Sequence, residues 1–265
     1  MKHRHKLPYL TVLALASLML FSACSKKEAE NTEQQTSQPA QSAATSAPID
    51  PATVASVSGT VKFTGTAPKP VKIDMSQDPG CKGTNNSEVI VVDGGNLANA
   101  FVYVKDGLGD RTFQPPATEV ELDQEGCQYH PHVLGLMTGQ TLEIKNEDTT
   151  THNVHPTPRE NREWNESQPA KAPDIKKQFA REEILMPVKC NQHPWMKMYI
   201  SVVKHPFFAV TDKSGKFELK GLPPGEYTIA VVHEKLGEQT QKITVAAKDS
   251  KTVDFSYPAP GGAGD

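Results

Sequence analysis

Short stretches in which apolar and polar residues alternate recur between Val54 and Tyr257, and this pattern limits the fold more than any other feature of the sequence. In GEYTIAVVH, for example, every second residue from Tyr227 to Val231 is apolar. A period of two is typical of strands with one buried face. Turn-forming sequences such as DGG, DKSGK and GLPPGE separate the stretches, and no segment has a convincing helical period. The sequence therefore predicts an all-β protein built of β-sandwiches.

The N-terminal residues have the composition of an export signal. A basic MKHRHK precedes an apolar stretch that leads directly to Cys24 through two small residues. This segment resembles a bacterial lipoprotein signal, which implies that residues 1–24 are the signal and that Cys24 is lipidated as the first mature residue. Phe21 stands where such signals usually carry leucine. An ordinary signal peptide or an anchor helix is the alternative, although the apolar stretch is short for a membrane span.

The regions that flank the β pattern are predicted to be disordered. Residues 25–53 are mainly Ser, Thr, Gln, Ala and Pro, a composition that buries too little apolar surface to fold and is typical of a flexible tether. Residues 258–265 form a short tail of the same kind. The net charge of −3 gives no electrostatic attraction for nucleic-acid phosphates, so we expect no nucleic-acid partner.

Two separated parts of the β region resemble the halves of one small domain. SGTVKFTGTAPKP with LANAFVYVKDG, and later FAVTDKSGKFELKGLPPGEYTIAVVHEKL, resemble the two halves of a carboxypeptidase regulatory-like domain, which has a transthyretin-like sandwich fold. We assign residues 54–109 and 206–257 to these halves and residues 110–205 to an inserted domain. Three consecutive pieces or one enlarged sandwich are the alternatives.

The number of cysteines predicts one free thiol. Exported cysteines usually pair, and three cysteines remain after Cys24. Cys190 ends an apolar stretch in VKCNQHPWM, three residues before His193 and six before Met196. A thiolate, imidazoles and a thioether are donors that suit copper. A second histidine must come from a distant strand, and THNVH contains it as His152.

The segments GQTLEIKNEDTTTHNVH and CNQHPWM together resemble a cupredoxin, a small blue copper protein, and their short ligand loop is similar to that of amicyanin. The resemblance implies a Greek-key β-sandwich with one type 1 copper ion held by His152, Cys190, His193 and Met196. It also implies that Asn153 ties the two ligand loops together by hydrogen bonds. Proteins of this two-part kind are often labelled methylamine-utilisation proteins, but nothing in the sequence identifies a methylamine-oxidising partner.

Alternatives remain for two of the four ligands. His155, the second histidine of HNVH, competes with His152, which the cupredoxin match favours. Met198 competes with Met196, because C-x2-H-x4-M is the plastocyanin spacing, whereas the HPWM match favours Met196.

The other two cysteines have two possible roles. Cys81 and Cys127 most simply form a disulfide once Cys190 is a ligand. A second metal site of Cys127, His130 and His132 is the alternative.

These residues favour a non-enzymatic function. The sequence contains no Ser-His-Asp pattern, phosphate-binding glycine loop or paired carboxylates that would indicate an enzyme. We expect a lipid-anchored electron carrier of the cell envelope, and Ser25 after Cys24 resembles outer-membrane sorting. The cupredoxin resemblance implies that redox proteins dock near His193 and Trp195, where the edge of the second histidine is exposed. A copper-handling module without electron transfer is the alternative.

Overall fold

The computed structural model describes residues 49–260, in which every regular element is a β-strand. This confirms the all-β prediction. Cys24, the predicted signal and most of the predicted tether lie outside the described residues. Across residues 49–260 we find no helix with the length and apolarity needed to cross a membrane.

Nineteen strands follow one another in the described part of the chain. They are β1 (Ala55–Thr64), β2 (Val92–Asp93), β3 (Asn96–Leu97), β4 (Phe101–Asp106), β5 (Val120–Glu125), β6 (Gln128–His130), β7 (Val133–Met137), β8 (Leu142–Asn146), β9 (His152–Pro156), β10 (Glu166–Gln168), β11 (Ile175–Lys177), β12 (Glu183–Lys189), β13 (Lys197–Val203), β14 (Phe208–Val210), β15 (Lys216–Leu222), β16 (Gly225–His233), β17 (Gly237–Val245), β18 (Ser250–Thr252) and β19 (Phe255–Pro258).

The first sandwich is built from both ends of the β region. One sheet has the strand order β15-β1-β3-β2, with β18 and β19 also paired to β1, and the other has the order β14-β4-β16-β17. Inward-facing residues of both sheets, such as Val57, Val102, Leu219 and Ile229, form one buried core. The strands before β5 and after β13 thus share a core although about 100 residues of chain separate them.

The second sandwich is formed by the intervening strands. Its sheets have the orders β10-β9-β12-β13-β7 and β11-β8-β5-β6. Leu122, Ile144, Val154, Met186 and Ile200 belong to its buried core, and the alternation along each strand places these residues on the inner faces.

The segment between β1 and β2 departs from the predicted domain assignment. The sequence places it with residues 54–109 in the first sandwich, but Ile73 and Met75 pack against the core of the second sandwich. The difference arises because the apolar side chains of this segment, together with Cys81, find their partners there. We call residues 71–89 the covering segment.

A disulfide fastens the covering segment to the second sandwich. It joins Cys81 to Cys127 with a Cα–Cα distance of 5.6 Å, in agreement with the sequence-based prediction. Nearby, the side-chain amide of Asn85 donates a hydrogen bond of 2.6 Å to the carbonyl oxygen of Gly126. Among the described residues Cys190 is left as a buried free thiol.

A third apolar cluster lies where the two sandwiches meet. It includes Phe101 of β4 from the first sandwich and Val133 and Val203 of β7 and β13 from the second. Gly135 of β7 is part of this contact, because a methyl group at its Cα would lie 2.7 Å from the rings of Phe101 and Phe208. Two strands of the second sandwich therefore pack closely on a sheet of the first.

We expect the Cys81–Cys127 bridge to contribute strongly to stability. It closes a loop with a sequence separation of 46 residues, for which the loss of chain entropy in the unfolded state corresponds to about 4 kcal/mol. Replacing both Cys81 and Cys127 by alanine should lower the free energy of unfolding by about 4 kcal/mol, as measured by denaturant titration. Alkylation of the unfolded, metal-free, unreduced protein should label Cys190 but neither Cys81 nor Cys127. Labelling of all three would show that the bridge does not form.

Candidate metal centre

A tight hairpin brings Cys190 opposite Met196. β12 and β13 are antiparallel, and Lys189 faces Lys197 in their register. The next pair outward is Cys190 and Met196, and the amide of Cys190 donates a hydrogen bond of 3.1 Å to the carbonyl oxygen of Met196. Both lysines are exposed, whereas the cysteine and the methionine are buried. Since side chains alternate along a strand, Cys190 and Met196 point to the same, inner side of the hairpin.

The start of β9 lies beside the end of β12. These strands are antiparallel, with Lys189 opposite His155, so His152 at the beginning of β9 comes close to Cys190. The backbone N–H of Asn153 donates a hydrogen bond of 3.2 Å to the Cys190 sulfur. Within the hairpin loop, the amide of Met196 bonds to the carbonyl oxygen of His193, which tightens the turn that carries this second imidazole.

Three donor atoms converge in a buried pocket. The Nδ1 atoms of His152 and His193 are 2.9 Å apart, and the Cys190 sulfur lies 3.7 Å from the Nδ1 of His193. The three donor atoms all lie within 4.8 Å of one another. His152 is 0% exposed, His193 is 2% exposed and Cys190 is 3% exposed, so water has little access to these atoms.

The outer nitrogen of each imidazole contacts a carboxylate. His152 Nε2 is 2.8 Å from Asp148 Oδ2, and His193 Nε2 is 2.8 Å from Asp78 Oδ2. An ionised carboxylate only accepts hydrogen bonds, so each Nε2 carries the hydrogen and each Nδ1 presents a lone pair to the pocket. Two such lone pairs 2.9 Å apart repel each other unless a proton or a metal ion lies between them. This donor set therefore suits a metal ion.

The spacing of the donors also suits one metal ion. Metal–nitrogen bonds of about 2.0 Å and metal–sulfur bonds of about 2.3 Å, as at zinc sites, place the donors of one ion about 3 to 4 Å apart. The measured separations of 2.9 and 3.7 Å lie in or near this range. Burial lowers the pKa of His152, against the opposite effect of the hydrogen bond to Asp148, and so favours the neutral imidazole that metals bind.

Asp148 is held by a β-hairpin turn. Gly126 and Cys127 join β5 to β6 with φ angles of 60° and 57°, the left-handed conformation that two-residue hairpin turns use. The two N–H groups of this turn each donate a hydrogen bond of 2.8 Å to the Asp148 carboxylate. The disulfide-bonded residue thereby also orients the carboxylate that contacts His152.

Asp78 belongs to the covering segment, and hydrogen bonds hold its carboxylate as they hold that of Asp148. Its carboxylate accepts hydrogen bonds from the amide of Gly80 at 2.7 Å and from the hydroxyl of Thr150 at 2.9 Å. The Gly80 amide, followed by His193 and Thr150, lowers the pKa of Asp78 to about 2. Asp78 is consequently an anion throughout the physiological range.

The sequence does not point to either carboxylate. Asp148 precedes His152 by four residues in a polar turn, and this short spacing is a signal that could have indicated a contact. Asp78 lies 115 residues from His193, in a segment without periodicity, and no local pattern connects the two.

The structure separates the candidate ligands from their competitors. The side chain of His155 points to the opposite side of β9 from that of His152, and its ring contacts Asn191 and Glu163 instead. Met198 lies opposite Val188, two residue pairs deeper in the hairpin than Met196.

Asn153 connects the two ligand segments through its backbone and not through its side chain. Its side chain points outward on β9 and donates a hydrogen bond of 3.2 Å to Asn165 rather than to the Cys190 loop. Its backbone N–H, which bonds to the Cys190 sulfur, connects the two ligand segments.

The alternative second site is not formed among the described residues. Cys127 is engaged in the disulfide. His132 contacts Glu234 at 2.6 Å, and His130 contacts the carbonyl oxygen of Glu125 at 3.2 Å. The two histidines therefore have separate partners and do not converge on the sulfur.

The expected exposed edge of His193 is a further point that the structure corrects. Asp78 covers this edge, and His193 is only 2% exposed. Trp195 packs beside it, with ring centroids 5.0 Å apart, and its indole N–H bonds to the carbonyl oxygen of Cys127. Pro194, next to Trp195, is exposed.

Part of the chain is similar to solved cupredoxin structures. A reduced mutant of amicyanin is 19% identical, with a TM-score of 0.29, over 38% of this chain and 97% of amicyanin. A purple cupredoxin from Nitrosopumilus maritimus is 18% identical, with a TM-score of 0.27, over 31% of this chain and 98% of that protein. A copper-containing nitrite reductase from Thermus scotoductus SA-01 is 20% identical over 37% of this chain, with a TM-score of 0.31. This chain spans only 25% of the length of that reductase.

The sequence itself matches one described family. Residues 194–257 match the carboxypeptidase regulatory-like domain. This match starts within the Cys190–Met196 loop and extends to β19. A comparison with curated proteins found no match.

Proposed function

We propose that this protein is a type 1 copper protein that carries single electrons between redox partners in the cell envelope. The observation that carries the proposal is the convergence of two imidazole Nδ1 atoms and one cysteine sulfur in a pocket closed to water. In this proposal His152, Cys190 and His193 bind one copper ion. The bound ion supplies one-electron redox chemistry.

The fourth donor favours copper over zinc. Structural zinc sites usually combine thiolates and imidazoles in a closed set of four, whereas a thioether is a soft, weak ligand typical of blue copper sites. Met196 follows the last strand pair, Lys189 and Lys197, and its carbonyl oxygen accepts a hydrogen bond from the amide of Cys190, so the two residues face each other across the hairpin, where side chains lie closer than diagonal ones. We therefore assign the axial position to Met196 rather than to Met198.

The protein contributes a rigid surrounding for the metal. Cys190 and Met196 close a hairpin, and Asn153 bonds to the cysteine sulfur through its backbone. Such contacts orient the ligands and leave them little freedom to rearrange when the metal changes its charge. A site that rearranges little is suited to electron transfer and poorly suited to releasing its metal, which favours a carrier over a copper-handling module.

We propose that partners dock over Trp195 and Pro194. Because His193 is covered, the partly exposed indole that packs on its ring offers a partner an accessible aromatic group beside the centre. The protein is not an enzyme in this proposal and binds no nucleic acid. Lipidation of Cys24 attaches it to a membrane, and we propose the outer membrane, with the protein facing the periplasm or the cell surface.

The colour of the copper-loaded protein tests the proposed ligands. The copper-loaded, oxidised protein should be intensely blue, because a short copper–thiolate bond gives strong charge-transfer absorption. Cys190→Ser should abolish this band, since a hydroxyl is not a soft thiolate donor. His155→Ala is the matched control and should leave the band in place, because the ring of His155 points away from the donor atoms. The visible and EPR spectra are the measurement. A colourless wild-type protein that binds zinc as readily as copper would contradict the proposal.

The two methionines should respond differently. Met196→Leu should retain copper and raise the reduction potential, because the weak axial donor to the oxidised metal is lost. Met198→Leu is nearly isosteric and should leave the potential almost unchanged. Cyclic voltammetry of both variants measures the potential. The reverse result would transfer the axial role to Met198.

The proposed lipid anchor at Cys24, which lies outside the described residues, can be tested by mutation. Cys24→Ser should remove the only side chain to which the lipid attaches, so the protein should appear in the soluble fraction or remain uncleaved. Fractionation together with fatty-acid labelling measures this, and Ser25→Ala should still be labelled. A Cys24→Ser protein that is cleaved normally and yet resists alkaline extraction from membranes would show that the anchor is of another kind.

A further inference from the structure

The carboxylate of Asp78 reaches the proposed copper centre from outside the strands of the second sandwich. It lies in the covering segment, between β1 and β2, and contacts the Nε2 of His193 at 2.8 Å. This contact joins residues 115 positions apart. The outer edge of His193 is thus closed by a segment that precedes the whole inserted sandwich in the sequence.

Asp78 is held in place on several sides. The backbone amide of Cys81 donates a hydrogen bond of 3.0 Å to the carbonyl oxygen of Asp78, and the side chain of Cys81 is bonded to Cys127. Gly80 and Thr150 bond to the carboxylate, as described above. The position of the carboxylate is therefore fixed by the disulfide and by the second sandwich together.

A carboxylate at the outer nitrogen changes what an imidazole offers to a metal. It keeps the hydrogen on Nε2, fixes the direction of the ring and makes Nδ1 more electron-rich. A more electron-rich ligand and a nearby negative charge both favour the more highly charged metal ion. Copper(II) is stabilised in this way more strongly than copper(I).

Asp78 does not serve as a metal ligand in this arrangement. Asp78, Cys81 and His193 do have donor atoms within 4.8 Å of one another. However, Cys81 is engaged in the disulfide, and Asp78 Oδ2 already contacts both His193 and Thr150. The remaining role is to hold the imidazole.

We propose that Asp78 is a positioning residue that orients His193 and sets the copper(II)-over-copper(I) preference of the centre. The covering segment and its disulfide are then functional parts of the copper centre, not merely a packing element. This inference rests on the proposed function, because it requires that His193 binds copper.

The test compares Asp78→Asn with Asp74→Asn in the copper-loaded protein. Asparagine keeps an acceptor near His193 and removes the charge. Loss of such a partner typically lowers metal affinity 10- to 100-fold. We expect about a 10-fold loss of copper(II) affinity relative to copper(I), which corresponds to a potential about 59 mV higher. Asp74 lies on the same segment, is exposed and bonds only to Ser76, so Asp74→Asn should change neither quantity.

Two further variants distinguish positioning from a loss of folding. Asp78→Glu restores the charge and should restore most of the copper(II) preference. The paired Cys81→Ala and Cys127→Ala variant leaves Asp78 intact but frees the covering segment, and its potential should shift in the same direction as that of Asp78→Asn. Adding Asp78→Asn to this pair should produce little further shift, because both changes remove the same contact.

The possible outcomes separate this inference from the proposed function. A wild-type protein that shows no blue copper spectrum overturns the proposed function. A blue wild-type protein whose potential and affinity ratio are the same in Asp78→Asn overturns the role of Asp78 alone. If Asp78→Asn does not fold, an unchanged potential in Asp78→Ser, whose shorter side chain does not reach the Nε2 of His193, overturns it equally.

Discussion

The approach of two imidazole nitrogens to 2.9 Å inside a water-excluding pocket is the constraint on which the rest of the site depends. Buried polar atoms need partners, and two lone pairs cannot satisfy each other. The surrounding structure holds both rings in this arrangement. Asp148 and Asp78 accept hydrogen bonds from the Nε2–H groups of His152 and His193. The hydrogen bond between Cys190 and Met196 fixes the loop between β12 and β13. Binding of a cation relieves the repulsion, so the protein is preorganised for a metal ion.

The chain's two parts meet at this centre through the covering segment. The segment that follows β1 crosses to the second sandwich, is bonded to Cys127 by the disulfide, and returns to β2. The edge of His193 is therefore enclosed within the protein, beside the ring of Trp195.

The sequence predicts those features that local patterns encode. Alternation of apolar residues gives the all-β class, and spacing within one loop identifies Cys190, His193 and Met196 as candidate ligands. The match of THNVH adds His152. The contact of Asp78 with His193 has no such signal. The two residues are 115 positions apart, and Asp78 lies in a loop without periodicity, so no local pattern connects them. For the same reason the sequence gives no sign that His193 is buried beneath Asp78.

The split arrangement of the first sandwich has a consequence for the order of folding. Val102 of β4 pairs with Val231 of β16, and β1 pairs with β15, β18 and β19. The sheets that hold β1 and β4 thus cannot close until the last strands have been synthesised, whereas the second sandwich draws its strands from one continuous stretch. Closing long loops slows folding. The second sandwich, together with the covering segment, is complete before β14 to β19 are synthesised, and it can therefore form while β1 and β4 still await their partners.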